Sequence, residues 1–99
     1  MSKIKILAVG THAEILEVVV RLINQNEQWQ GMGAADTTQA ITMLQQHTFN
    51  LVLLCNGLSS ADESIVKNAA TSLQQHIKVL QHWGGGSGLL YSEIQMALQ

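Results

Sequence analysis

The stretch LVLLCNGLSS, residues 51–60, carries the pattern that decides the fold of this chain. Four apolar residues end abruptly at Cys55 and are followed by Asn56 and Gly57, which favour a turn. An uninterrupted apolar run is typical of a strand that is buried on both faces of a parallel sheet. In an open α/β sheet, ligands bind beyond the carboxyl ends of such strands. The stretch therefore predicts a central strand that places Cys55 at the edge where a functional site would lie.

Strand and helix patterns alternate along the chain. The strand patterns cover residues 3–9, 29–35, 49–55 and 77–83, and amphipathic patterns of helical period separate them. The second strand contains two glycines, which favour a position at the edge of the sheet. Regular alternation with short connections predicts a three-layer α/β fold of flavodoxin-like type, with a four-stranded parallel sheet in the order 2-1-3-4. We expect residues 1–99 to form a single domain.

The starts of the three helices between the strands are indicated by capping residues. Thr11 with Glu14, and Ser60 with Glu63, have the spacing of a capping box. Asp36 is placed to cap the helix between them.

Composition excludes several classes of function. Only 12% of the 99 residues are charged, the net charge is −2, and the five basic residues are scattered, so nothing indicates nucleic-acid binding. The single cysteine cannot form an internal disulfide. No apolar run approaches the ~18 residues of a membrane span. These features predict a cytoplasmic protein without a membrane partner.

Three stretches resemble the receiver domains of response regulators from two-component systems. HTFNLVLLCNGL (47–58) is similar to the third-strand motif, GAADTTQAITMLQQHTF (33–49) to the second strand and helix, and KIKILAVGTH (3–12) to the first strand and its loop. The resemblance covers roughly residues 3–75. It implies a receiver-like fold and a role in signal transduction.

The chain departs from the receiver pattern at the positions that carry receiver chemistry. The resemblance places Cys55 at the position of the phosphoacceptor aspartate, and Gly10 and Thr11 at the acidic pair that holds Mg²⁺. Mg²⁺ needs oxygen ligands, usually carboxylates and waters, and Gly10 and Cys55 supply none. Residues 84–99 are too few for the helix, strand and helix that end a full receiver. The resemblance therefore implies a degenerate, truncated receiver that has lost phosphoryl transfer.

Cys55 and two histidines leave alternatives open. Cys55 is either a small apolar residue that closes a strand or a reactive thiol, which would need a lowered pKa. His12, Cys55 and His82 would all lie at the carboxyl ends of neighbouring strands, where two imidazoles and a thiolate could bind Zn²⁺. The ligand spacings are long and no short motif supports them. We therefore expect no metal and no cofactor.

The glycine-rich stretch GGGSG follows the last strand pattern. Its backbone N–H groups are a candidate anion-binding loop, although the lysine of a P-loop is missing. The other interpretation is a flexible replacement for the missing receiver segment. The stretch comprises Gly84, Gly85, Gly86, Ser87 and Gly88.

The leading hypothesis is a non-enzymatic pseudo-receiver that acts by binding proteins. Without a fifth strand, the edge of residues 77–83 would be open to pairing with a second copy or a protein partner. The candidate interface residues are Val79, Trp83, Leu90 and Ile94. Trp29 is either a further exposed anchor or a half-buried edge residue. The alternative function is a small-ligand-binding domain or thiol enzyme that uses Cys55 and His12.

Overall fold

The structure is a computed structural model that describes residues 4–55, 57–74 and 77–81 together with residues 94 and 96. Strands and helices alternate as the sequence predicts: β1 (Ile4–Val9), α1 (Ala13–Asn24), β2 (Trp29–Ala34), α2 (Thr37–Gln46), β3 (Leu51–Leu54), α3 (Ser60–Leu73) and β4 (Lys78–Gln81). All strand pairs are parallel and the order is β2-β1-β3-β4, which confirms the predicted fold class and strand order.

The two central strands, β1 and β3, supply side chains to both faces of the sheet. Residues 6–9 and 51–54 are all buried because each face is covered by another layer. On one face, Leu7, Val9, Val52 and Leu54 belong to a cluster with residues of α2 and α3. The other face packs with α1 and Ile94, through the core residues Ile6, Ala8, Val19, Ile23, Trp29, Leu51, Leu53 and Cys55. Burial on both faces explains why the sequence has continuous apolar runs in β1 and β3 instead of an alternating pattern.

Trp29 is a core residue. Its side chain is 4% exposed and packs in the α1-side cluster. The interpretation of Trp29 as an exposed anchor is therefore wrong.

The glycines of β2 allow α1 to lie close against the edge of the sheet. A Cβ atom on Gly31 would approach the Cγ2 atom of Ile23 to 2.8 Å, a distance that carbon atoms do not tolerate. The backbone N–H of Gly31 donates to Oδ1 of Asn24 at 2.8 Å, and Nδ2 of Asn24 donates to the Gly31 carbonyl at 3.3 Å. The side-chain amide of Asn24 thus satisfies both backbone groups of Gly31 on this edge strand.

The first helix does not begin as the sequence predicts. Its N-cap residue is His12, which makes no side-chain cap hydrogen bond. Thr11 instead turns its hydroxyl to the carbonyl oxygen of Gly57, at 3.0 Å. The predicted capping box of Thr11 with Glu14 is wrong because the helix begins one residue later, with His12 as its N-cap, and the Thr11 hydroxyl donates to the other loop.

The other two helices are capped by side chains. Asp36 accepts the backbone N–H of Gln39 at 2.8 Å, as predicted. The capping box of α3 is formed by Ser59 and Asp62, one residue earlier than the predicted pair Ser60 and Glu63. Two consecutive serines are each followed three residues later by an acidic residue, so the sequence pattern fits either pair.

Gln74, the residue that follows α3, ties α2, β3 and α3 together. Its Nε2 donates to the carbonyl oxygens of Leu44 and His47 at the end of α2, at 3.0 and 2.9 Å. Its Oε1 accepts the backbone N–H of Phe49 at 2.7 Å. One half-buried amide therefore satisfies three backbone groups that precede β3.

Replacing Gln74 by methionine should destabilise the fold. Gln74→Met keeps the length of the side chain but leaves three partly buried backbone groups without their partners, so we expect the free energy of unfolding to fall by roughly 1–3 kcal/mol. Urea unfolding followed by circular dichroism measures the change. Gln45→Met, at an exposed position of α2, is the matched control. Equal stability of the two variants would contradict this role of Gln74.

Candidate site at the carboxyl edge of the sheet

The loops after β1 and β3 meet at the carboxyl edge of the sheet. The strand pairing continues past their ends, because the N–H of Cys55 donates to the Val9 carbonyl at 2.8 Å and the N–H of Gly10 donates to the Ala34 carbonyl at 3.1 Å. The hydrogen bond from Thr11 to Gly57 then joins the two loops. Gly10, Thr11 and Cys55 are thus brought to one edge, as the parallel topology requires.

Gly57 gives the β3–α3 loop a conformation that leaves no space for a side chain. Its φ angle is +99°, in the region that L side chains rarely adopt. A Cβ atom there would overlap the Thr11 hydroxyl and lie 2.7 Å from Cδ2 of His12. Thr11 and His12 therefore fill the space directly beside the turn.

Cys55 is a buried thiol. It is 3% exposed and packs with the apolar residues of the α1-side cluster. Burial raises the pKa of the Cys55 thiol to about 11, because the surroundings disfavour the charged thiolate. A nucleophilic cysteine needs the opposite shift. The environment of Cys55 therefore matches the interpretation of a small apolar residue that closes a strand.

The described residues at this edge do not fit Mg²⁺. Gly10 has no side chain, the Thr11 hydroxyl is bound to Gly57, and Cys55 is a protonated thiol at neutral pH. Asp36 follows β2, and its carboxylate caps α2. Within the described part of the chain, no three His, Cys, Asp or Glu side chains gather in an arrangement that could hold a metal ion. His82, the third residue of the hypothetical zinc site, lies outside the described residues.

A separate cavity of about 440 Å³ lies between α3 and the end of the sheet at β4. Its floor is apolar, from the carboxyl end of β3 and from β4, and its rim consists of polar residues from one side of α3. The lining residues are Leu54, Ser60, Glu63, Ser64, Lys67, Val79 and Leu80. Val79 is among the interface residues that the sequence predicts, whereas the α3 residues are not. Their spacing, at positions 60, 63, 64 and 67, is the signal that indicates one polar helix face.

The candidate interface residues have different environments. Val79 is half-buried and contacts the α2–α3 cluster while it also lines the cavity. Ile94 is fully buried in the core of its own chain, on the α1 side of the sheet. It is therefore unavailable to a partner in this conformation, because packing against the sheet uses its whole side chain. Trp83, Leu90 and the loop Gly84–Gly88 lie outside the described residues.

No helix within the described residues has the length and apolar character needed to cross a membrane.

Cys55 should react slowly with iodoacetamide in the folded protein. A pKa near 11 lowers the thiolate fraction at neutral pH on the order of a hundredfold relative to an ordinary thiol, and burial restricts access further. Intact mass over time measures the rate, with the same chain in concentrated urea as the control. Similar rates in the two conditions would show that Cys55 is accessible and ionised.

The same pKa shift predicts a stability change at alkaline pH. The folded state holds the thiol proton more tightly than the unfolded chain, so the contribution of Cys55 to stability is complete below the ordinary thiol pKa. It is lost as the pH rises towards 11. Urea midpoints measured against pH should fall more steeply for the native chain than for Cys55→Ala. Parallel curves would contradict the shift.

Comparison with known proteins gives similarity at the level of structure. No protein-family model matches the sequence, and no curated protein matches it. The receiver domain of the hybrid histidine kinase CckA superposes with a TM-score of 0.81 at 17% identity, over 96% of this chain and 99% of that chain. A CheY-like receiver domain protein from Methanospirillum hungatei JF-1 gives 0.70 at 21% identity, over 97% and 76%.

The same architecture also occurs in a protein of another class. The lactose-specific IIB component domain of the phosphotransferase system from Streptococcus pneumoniae superposes with a TM-score of 0.67 at 17% identity, over 99% of this chain and 93% of that chain. The fold therefore leaves the activity open, and the residues of the site must decide it. From its strand order, helix placement and structural neighbours, the chain has the receiver-like, flavodoxin-like fold.

Proposed function

We propose that this chain is a pseudo-receiver, a non-catalytic module that signals or scaffolds by binding proteins and works without phosphorylation of an aspartate. The observation that carries the proposal is the chemistry of the carboxyl edge, where Gly10, Thr11 and Cys55 stand in a receiver-like fold. We further propose that residues 1–99 act as one cytoplasmic domain.

Phosphoryl transfer at this edge lacks both an acceptor and a counter-charge. A phosphoryl group adds about −1.5 to −2 charges, which receivers balance with a metal ion held by carboxylates. The Thr11 hydroxyl is already engaged with Gly57, and the Cys55 thiol is protonated and buried. Gly10, Thr11 and Cys55 supply no carboxylate for a divalent cation, and the Asp36 carboxylate that follows β2 is engaged as the cap of α2.

The partner surface that we propose is the cavity between α3 and β4. It joins an apolar floor to a rim with one acidic and one basic residue, Glu63 and Lys67. Such a combination suits the side chain of a docked protein, which would bury its apolar part on Val79 and Leu80 and meet polar groups at the rim. A second copy or a different protein would occupy it.

The alternative of a thiol enzyme finds less support. Catalysis by Cys55 would need an ionised, accessible sulfur, whereas burial raises its pKa to about 11.

Incubation with acetyl phosphate and Mg²⁺ should leave the mass of the chain unchanged. The reason is the missing acceptor and the missing carboxylate pair. Intact mass spectrometry measures the outcome, with an aspartate-containing receiver domain treated in parallel as the positive control. A stable phosphorylated species that disappears in a Cys55→Ala variant would overturn the proposal and assign the chemistry to the thiol.

Ser64→Arg should weaken partner binding without unfolding the chain. Ser64 is exposed and lines the cavity, so a long charged side chain there would fill the space that we assign to the partner. Ser72→Arg makes the same change at an exposed position of α3 that does not line the cavity. Immobilised native and variant chains are compared for the proteins that they retain from the source cell, and circular dichroism checks folding. Equal retention by both variants would exclude this cavity as the partner surface.

A further inference from the structure

Helix α1 has a second apolar stripe besides the one that packs on the sheet. Val19 and Ile23 are buried in the core, with Leu16 and Val20 packed beside them. Ile15 and Val18, in contrast, are 39% and 38% exposed. Leu22 follows Val18 by four residues; it is half-buried, so that part of its side chain packs on the α1-side core and the rest remains exposed. At 100° per residue, positions 15, 18 and 22 form a stripe roughly 120° from the core face.

The spacing of this stripe is that of a helix–helix seam. Intervals of three and four residues place Ile15, Val18 and Leu22 at successive a, d and a positions of a heptad, where apolar side chains meet a second helix. Met96 is 75% exposed, and Ile94, two residues before it, is buried on the same side of the sheet as α1. This layer therefore exposes several large apolar side chains, Ile15, Val18 and Met96, and not a single isolated one.

The charges that flank the stripe are opposite in sign. Glu14 and Arg21 each precede an a position by one residue and so occupy successive g positions of the same heptad frame. Neither side chain takes part in a hydrogen bond or ion pair within the described part of the chain. In an antiparallel pair of helices, the g residues of one helix lie beside the g residues of the other. A second copy of α1 would therefore bring its Arg21 to Glu14 and its Glu14 to Arg21.

We propose that α1 is a self-association surface that pairs antiparallel with α1 of a second copy about a two-fold axis. The second copy is the occupant because this helix carries both halves of the complementary pattern: an apolar seam with an acidic residue at one end and a basic residue at the other. The contact is isologous, so each complementary charge pair occurs twice. It does not rest on the proposed function, because it uses the layer over β1 and β2, on the side of the sheet opposite the α2–α3 cluster.

The size of the contact sets its strength. A helix of 12 residues is about 18 Å long, so the paired surface falls below the roughly 1,600 Å² of a standard stable interface. The dimer is therefore weak and concentration-dependent.

Charge reversal tests the pairing in the full chain by sedimentation equilibrium. Glu14→Arg alone places two arginines together at each end of the seam, and Arg21→Glu alone places two glutamates there. Each single variant should raise the dimer dissociation constant by about tenfold. An equimolar mixture of the two variants should associate as well as the native chain, because each copy then meets opposite charges. The double variant should also regain self-association.

Two controls make the outcome decisive. Gln45→Glu combined with Ser72→Glu changes the net charge by as much as Arg21→Glu does, at exposed positions of α2 and α3 that do not line the cavity, and should leave self-association unchanged. Val18→Lys, in the centre of the seam, should abolish it. A mixture that stays as weak as the single variants would overturn the proposal. So would equal effects of the Gln45→Glu and Ser72→Glu double variant and of Arg21→Glu, a native chain that remains monomeric at ~1 mM, or self-association that Ser64→Arg removes and Arg21→Glu does not.

Discussion

The structure depends on the pairing of β1 with β3 and on the burial of both strands on both faces. Residues 6–9 of β1 and 51–54 of β3 are each buried, so the two strands link the layer of α2 and α3 to the layer of α1 and Ile94. Asn50 fixes the start of this pairing. Its side chain accepts the N–H of Lys5 at 2.9 Å, its own N–H donates to the Lys5 carbonyl, and its carbonyl accepts the N–H of Lys78. One residue thereby aligns three parallel strands.

Because this core lies below the carboxyl edge, the residues of the edge can change without loss of the fold. Receivers place carboxylates at this edge, which repel one another unless a metal ion balances them. In this chain the ends of β1 and β3 carry Gly10, Thr11 and the buried thiol of Cys55, and the loops close on each other through the hydrogen bond of Thr11 to Gly57. Cys55 adds apolar contact to the α1-side core instead of a charge at the surface. Gly10, Thr11 and Cys55 bring no carboxylate to this edge, and this chemistry supports the binding role that we propose.

The two surfaces that we propose for binding lie in opposite layers of the fold. The cavity beside β4 belongs to the α2–α3 side and combines an apolar floor with polar residues of α3. The stripe of Ile15, Val18 and Leu22 belongs to the α1 side and carries Glu14 and Arg21 at its flank. If both are used, one copy contacts its twin through α1 and a different protein through the cavity at the same time. Because the dimer forms only at higher concentrations of the chain, a rise in concentration would bring two bound partner proteins together in one complex.

The sequence by itself determined the alternation of strands and helices, the two central strands, the glycine-containing edge strand and the cap at Asp36, because these depend on local periodicity, turn residues and burial. It also indicated that Gly10 and Cys55, at the ends of β1 and β3, supply no carboxylate. Only the tertiary structure decided what Thr11, Gln74, Asn24 and Ile94 do. Thr11 binds a loop 46 residues away instead of capping its own helix, and Gln74 joins carbonyls 27 and 30 residues away. Ile94 fills the core instead of an interface. Contacts between residues so distant in the chain leave no periodic trace in the sequence, since they arise from how the layers pack.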